Sequence, residues 1–233
     1  GDRLGIVPYI MPGFDLAKAA ADIYDTNPDV EGLLLLQHGH FAFGDTARQS
    51  YERIIEHTNL AAAAFGLDGP TDIATRDYDK LPDVVVDLRG ALAQCGGGAD
   101  TAPMLILDVR ANRSILEFLE RRDIAQLLTR GVASPDHVIR IKGRPLHLSR
   151  STWQQGAAAI AAAINSFQQD YKTYFDREAV RSSQPKMMLS SLPSLVWMEG
   201  VGIIGIGANA KAASAAADLG VQNARVRSVG EDQ

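Results

Sequence analysis

The sequence is poor in cysteine and in long apolar runs. Cys95 is the single cysteine among 233 residues, so the chain forms no internal disulfide and holds no cysteine-based zinc cluster. No apolar run approaches the roughly 20 residues that cross a membrane, and no segment has the pattern of a signal peptide. We therefore expect a cytoplasmic protein that has no membrane partner.

The sequence also lacks an excess of basic residues. It carries 23 lysines and arginines against 28 aspartates and glutamates, which gives a formal net charge of −5. This balance argues against nucleic acid or an anionic membrane surface as a partner. Hydrophobic residues make up 46% of the chain, which is enough for one large domain or two small ones.

One stretch, residues 31–59, combines a buried strand with polar chemistry at its end. The run Leu33–Leu36 is continuously apolar, as in a strand that is buried on both faces. A histidine follows at His38 beside Gly39, where rigid backbone and a small neighbour suit a metal ligand. The pattern then predicts a short strand over 41–43 and a helix capped by Asp45 or Thr46.

These residues resemble the class II aldolase/adducin family. The similarity rests on the Leu-Leu-X-His-Gly-X-Phe-X-X-Gly run around His38, on the earlier run 7–13, and on a helix over 14–24. It is closest to the aldolase part of rhamnulose-1-phosphate aldolase/short-chain dehydrogenase fusion proteins. The resemblance implies an α/β fold of the class II aldolase-like α/β/α type, with a mostly antiparallel central sheet.

The resemblance also implies a metal site. In this family the histidine of the His-Gly pair is one of three zinc ligands, which assigns His38 as a metal ligand and zinc as the cofactor. The other two ligands form a His-X-His pair earlier in the chain, at positions that would precede Gly1, so the ligand set is incomplete here. The alternative is that His38 caps a strand or bonds a backbone carbonyl. His40 and His57 match no ligand position and are interpreted as surface or helix-face residues, and no catalytic residue is identified.

The rest of the chain shows alternating helix and strand patterns. The predicted elements are a linker over 67–81, a helix over 82–92, a buried strand over 104–109, helices capped by Asn112 and Asp123, a strand or hairpin over 137–148, a long helix over 153–175, a strand pair over 194–206 and a helix over 209–219.

The last of these elements repeat the first stretch. Residues 38–48 (HGHFAFGDTAR) align without gaps on residues 201–211 (VGIIGIGANAK), at an offset of 163 positions (201 − 38). Gly39 falls on Gly202, and Val201 takes the place of His38. Duplication predicts the same strand–hairpin–helix unit twice, whereas convergence of two common strand–turn–helix units is the alternative.

A second correspondence involves Arg140 and Lys142. The run 136–142 (DHVIRIK) has the shape of the family's His-X-His strand, with these two cations in the histidine positions. Protonated arginine and lysine do not bind zinc but hold phosphate or carboxylate. They are therefore candidate substrate-binding residues on a strand beside Val201, and the alternative is that they form the solvated face of a strand.

A rival motif, G-x-G-x-x-G over 200–205, is typical of dinucleotide-binding folds. Such a fold needs a further strand and an acidic residue about twenty positions later, and too little chain follows the last helix. The Tyr-X-X-X-Lys signature of short-chain dehydrogenases is absent as well. We therefore interpret these glycines as part of a hairpin.

The predicted organisation has four parts. Residues 1–66 form the C-terminal half of a class II aldolase-like domain, 67–88 a linker and helix, 89–222 a degenerate aldolase-like second copy, and 223–233 a loose polar tail. Within this organisation the first copy is partial.

The resemblance implies a function. The chain is expected to be a fragment of a zinc-dependent sugar-phosphate aldolase that is similar to rhamnulose-1-phosphate aldolase. Such an enzyme performs retro-aldol C–C cleavage on a small sugar phosphate, and we expect it to form a homo-oligomer. Related epimerases use similar metal chemistry. The fragment alone is expected to be inactive and to bind zinc weakly. The alternative is a non-catalytic adducin-like binding or oligomerisation module of an aldolase/short-chain dehydrogenase fusion.

Overall fold

A computed structural model of the chain describes residues 2–67, 83–97, 104–182 and 185–231. Contacts divide the chain into two compact units, residues 1–71 with 133–135 and residues 72–132 with 136–233. In each unit helices pack against a sheet, which confirms the α/β prediction. Within the described ranges, no helix is both long enough and apolar enough to cross a membrane.

The first unit is a three-stranded sheet with two helices. Strand β2 lies in the centre, parallel to β1 and antiparallel to β3. Its core lies between the sheet and helix α1, where Val7, Leu33 and Leu35 pack with Leu16. The elements are β1 (Leu4–Val7), α1 (Phe14–Thr26), β2 (Gly32–Leu35), β3 (Gly39–Ala42) and α2 (Ala47–Ala64).

Helix α2 is tied to the strand before it by polar contacts. Thr46 is its N-cap, and the Thr46 side chain accepts a hydrogen bond from the Gln49 amide at 3.1 Å, as predicted. The Ser50 hydroxyl donates to the Ala42 carbonyl at 2.8 Å. Arg53 donates to the Phe43 carbonyl at 2.6 Å. These bonds fix the side chains of α2 relative to β3.

The second unit has a four-stranded sheet in the order β4-β7-β6-β5, antiparallel except for the β5–β6 pair. The described residues from Val84 onward form α3 (Val84–Cys95), β4 (Ile106–Arg110), α4 (Arg113–Leu119), α5 (Ile124–Thr129), α6 (Pro135–Ile141), β5 (Leu146–Leu148), α7 (Arg150–Trp153), α8 (Ala157–Ala179), β6 (Leu195–Met198), β7 (Gly202–Gly207) and α9 (Ala210–Glu231).

Both faces of the second sheet are covered. On one face Val196 and Ile204 pack with residues of α3 and α8. On the other face Trp197 and Ile203 pack with residues of α4, α5 and α9. This is the predicted α/β/α layering, and residues 200–205 form a turn and a hairpin strand in it rather than a phosphate-binding loop.

The strand or hairpin predicted over residues 137–148 is wrong over residues 137–141, which lie in helix α6, and is confirmed over 146–148, which form β5. The buried residues of α6, His137 and Ile141, are four positions apart and therefore share one face of a helix. Val138 and Ile139, the apolar residues between them, are exposed. Pro135 begins the helix, a position that proline favours.

The predicted loose tail is also wrong over residues 223–231, because α9 continues to Glu231. Asn223, Ala224 and Arg227 recur at helical spacing and are all buried. Two of these three are polar, so composition alone suggested a solvated tail. The predicted linker, from residue 68 onward, lies outside the described residues.

Candidate functional site

His38 lies in the turn that joins β2 to β3. Its amide donates to the Leu35 carbonyl at 3.0 Å, and Gln37 before it has a left-handed backbone with φ of 58°. The side chain is half-buried, and its Nδ1 is buried without a hydrogen-bond partner in the described part of the chain. A buried ring nitrogen of this kind is available to a ligand that the protein itself does not supply.

A series of hydrogen-bonded polar side chains links this hairpin to helix α2. His40 Nε2 lies 3.1 Å from His57 Nδ1, and His57 Nε2 lies 3.1 Å from Glu31 Oε2. Arg3 Nε donates to the same Glu31 oxygen at 2.6 Å, and its Nη1 donates to Glu56 at 2.9 Å. We call these residues, Arg3, Glu31, His40, Glu56 and His57, the histidine cluster. His57 lies on helix α2, as one of the predicted alternatives has it, but it is 7% exposed and His40 is half-buried, so the interpretation of the two histidines as surface residues is wrong.

The charges of the cluster determine its protonation. The Arg3 guanidinium, followed by the bond from His57, holds the pKa of Glu31 below its ordinary value. Burial, and next the neighbouring His57, lower the pKa of His40. Since the ionised Glu31 only accepts, His57 donates to it through Nε2–H, and Nδ1 is the ring nitrogen that faces His40.

A helical spacing could have revealed this cluster from the sequence. Ser50, Arg53 and His57 are three and four positions apart, so they lie on one face of α2. All three contact β3 or the residue after it: Ser50 bonds Ala42, Arg53 bonds Phe43 and His57 faces His40. A polar stripe on the sheet-facing side of a helix is the signal that the sequence interpretation missed.

The hairpin of the second unit repeats that of the first at the predicted offset. In both, the strands pair in the same register, with Gly32 opposite Ala42 in one and Leu195 opposite Gly205 in the other. The Val201 amide donates to the Met198 carbonyl at 3.1 Å, as that of His38 does to Leu35. Duplication itself stays a prediction.

The residues before the two equivalent turn positions also agree. Gly200 has φ of 72°, against 58° for Gln37, so both turns use a left-handed residue at this point. Val201 is buried in the core that faces α3 and α8. The second hairpin therefore keeps the backbone of the first without the imidazole of His38.

Arg140 and Lys142 do not lie on a strand beside Val201. Arg140 is exposed on α6. Lys142 directly follows that helix with φ of 63°, is 4% exposed, and places Nζ 4.6 Å from the centre of the Tyr171 ring. Burial lowers the pKa of Lys142 to about 8. The strands that pair with β7 are β4 and β6, and neither contains Arg140 or Lys142, so the expected convergence of the two cations from a neighbouring strand is wrong; their role with substrate stays a prediction.

Comparison with known proteins assigns the two parts of the chain. The model of the class II aldolase and adducin N-terminal domain matches residues 1–65. The model of the second domain of class II aldolase matches residues 79–232. The chain belongs to the class II aldolase family.

A curated relative of this class II aldolase chain is longer than the chain itself. The uncharacterized oxidoreductase YuxG of Bacillus subtilis (strain 168) is 26% identical over 215 residues, which cover 89% of this chain and 31% of that protein. The chain therefore spans less than a third of the length of this relative. No solved structure gives a significant match.

Class II aldolases are generally metal-dependent, and His38 is the residue that the family pattern assigns as a ligand. Its buried, unbonded Nδ1 has the chemistry of a ligand. In the described ranges, however, no group of three or more His, Cys, Asp or Glu side chains is arranged to hold a metal ion. Among the described residues, His38 is thus a single candidate ligand, and the set of three that a catalytic zinc takes from protein is not found there.

Proposed function

We propose that this chain is part of a zinc-dependent aldolase that cleaves a C–C bond of a small sugar phosphate, similar to rhamnulose-1-phosphate aldolase. One observation carries the proposal. His38, at the position that the family pattern gives to a metal ligand, has a buried ring nitrogen that no other described residue bonds. The remaining ligands would come from residues outside those described.

The surroundings of His38 suit a ligand that must keep one position. The turn is fixed by the His38–Leu35 backbone bond, and α2 is locked on the adjoining strand through Ser50 and Arg53. A rigid scaffold of this kind reduces the cost of orienting a ligand. Burial of Nδ1 also keeps competing water away from the nitrogen that would bind.

The test uses the longest natural protein that contains these residues. Release of dihydroxyacetone phosphate from rhamnulose 1-phosphate is measured with and without a chelator, and bound zinc is measured by mass spectrometry. His38→Gln is expected to lower activity by about 100-fold or more and to reduce bound zinc, because it removes a ligand. His147→Gln, a half-buried histidine of the second unit, is the matched control. Full activity and zinc content in His38→Gln would contradict the proposal, as would a complete lack of activity on sugar phosphates in the wild type.

A second candidate is a binding or oligomerisation module within a larger protein, in the manner of adducin. It is favoured by apolar side chains exposed on the first sheet: Ile6 is 60% exposed and its register partner Leu34 is 38% exposed. Apolar sheet residues exposed side by side are typical of an interface. The variant Ile6→Ser/Leu34→Ser should then lower the mass measured by light scattering while its circular dichroism spectrum stays unchanged. An unchanged mass would remove this candidate.

A further inference from the structure

The two histidines of the cluster approach each other through ring nitrogens. His40 Nε2 and His57 Nδ1 are 3.1 Å apart, with ring centres 5.1 Å apart and ring planes tilted by 58°. His40 comes from strand β3 and His57 from helix α2, and the bonds of Ser50 and Arg53 fix these two elements to each other. The distance is therefore set by the scaffold rather than by two mobile side chains.

Glu31 orients the second ring. Its Oε2 lies 3.1 Å from His57 Nε2, and Arg3 holds the same oxygen at 2.6 Å. A carboxylate that accepts from one nitrogen of an imidazole fixes the tautomer and aims the lone pair of the other nitrogen. In His57 that other nitrogen is Nδ1, which faces His40.

Two imidazole nitrogens at this distance lie close to the spacing of two ligands on one metal ion. Zinc–nitrogen bonds of about 2.0–2.1 Å at a tetrahedral angle place the two nitrogens about 3.3 Å apart. The observed distance reaches that value with a shift of a few tenths of an ångström. We propose that His40 and His57 form a binding site for a divalent transition-metal ion, held between Nε2 and Nδ1, with Glu31 as the orienting carboxylate.

The chemistry of the site determines which ion it takes. Two imidazoles favour zinc, copper or nickel over magnesium and calcium, which prefer oxygen ligands. In the metal-free protein the two nitrogens share one proton in a hydrogen bond. Metal binding breaks this hydrogen bond and forms two metal–nitrogen bonds. His40 moves its proton from Nε2 to Nδ1, so a neutral pair of rings releases no proton to solvent. The metal therefore binds without a change in the net protonation of the two histidines.

A cavity lies beside one of the two histidines. A cavity of about 320 Å³ adjoins His57, lined also by Arg3, Leu4, Leu60 and Ala61. Since two protein ligands are fewer than the three or four of catalytic and structural zinc sites, the site should bind more weakly than those sites do. The inference does not rest on His38 or on the proposed aldolase activity.

The test titrates zinc chloride alone into the metal-stripped 233-residue chain at pH 7.5, by calorimetry and by nitrogen NMR of the imidazole rings. We expect zinc to shift the signals of His40 Nε2 and His57 Nδ1. His40→Gln and His57→Gln should each weaken binding by at least 10-fold, and Glu31→Gln by about 10-fold or more. The control His147→Gln, at a half-buried histidine of the second unit, should leave this affinity unchanged.

Two results would overturn the inference. One is a wild-type spectrum in which saturating zinc leaves the His40 and His57 ring nitrogens unshifted. The other is zinc binding of unchanged affinity in the double variant His40→Gln/His57→Gln. The wild-type spectrum requires no substitution, so it decides the matter even where a variant fails to fold. A His38→Gln variant that loses aldolase activity but keeps this zinc binding separates the two sites.

Discussion

Replacing Arg227 by methionine tests whether the end of α9 is a packed part of the second unit. Arg227 is 5% exposed, and its Nη1 donates to the Leu127 carbonyl at 2.8 Å. Its Nη2 donates to the Gly131 carbonyl at 3.3 Å, and the guanidinium carbon lies 5.0 Å from the centre of the Trp197 ring. Methionine keeps most of the side-chain volume and removes all of these polar contacts.

The expected loss of folding stability in Arg227→Met is the difference between opposing effects. Each hydrogen bond from a charged donor contributes about 1.5–3 kcal/mol, and a buried cation–π contact about 1–2 kcal/mol. The cost of burying the charge opposes these contributions. Burial lowers the pKa of Arg227 to about 10, and this shift corresponds to about 3 kcal/mol. We expect a net destabilisation of about 2 kcal/mol, which is a fall in melting temperature of about 4–8 °C for a unit of this size.

Tryptophan fluorescence during urea unfolding measures this effect in the relevant unit. Both tryptophans of the chain, Trp153 and Trp197, lie in the second unit. Lys211→Met, at an exposed position on the same helix, is the control and should change the free energy of unfolding by less than about 0.5 kcal/mol. If Arg227→Met is as stable as this control, the end of α9 does not pack as described.

Three further predictions concern backbone approach, a buried charge and helix caps. Gly205→Ala should destabilise the second unit by about 2 kcal/mol or more, because its Cβ would lie 2.2 Å from a carbonyl oxygen of α9. Gly90→Ala, in open space on α3, should instead stabilise the unit by about 0.5–1 kcal/mol. Tryptophan fluorescence during unfolding measures both effects. Lys142→Met should raise stability at pH 7 by about 1–2 kcal/mol, since it removes a buried charge. The Lys142 amine has a pKa of about 8 in the folded chain and 10.5 when unfolded, so the wild type gains stability as the pH rises between these values. A difference in the free energy of unfolding between variant and wild type that stays constant up to pH 10.5 would refute this. Thr46→Ala and Asn209→Ala remove equivalent caps of α2 and α9, and calorimetry should show similar losses of about 1 kcal/mol each; a loss in one alone would argue against equivalent units.

Much of the candidate site was predictable because it depends on short-range patterns. The apolar run Leu33–Leu36, with glycine and histidine after it, gave a strand, a turn and the place of His38 without any long-range information. The partnership of His40 and His57 was not predictable in this way, since it requires α2 to lie on β3 at one rotation about its axis. That rotation is decided by side-chain packing and by the polar bonds between helix and strand.

The sequence by itself determined the elements whose signals are local. Thr46 and Asn112 cap helices where the pattern placed them, because the cap bonds reach three residues along the chain. Only the tertiary structure decided the segments with mixed signals. Residues 136–141 alternate like a strand but fold as a helix, since His137 and Ile141 find a buried face at helical spacing. The polar end of α9 is helical because Arg227 reaches the carbonyls of Leu127 and Gly131, partners about a hundred residues away that no local pattern contains.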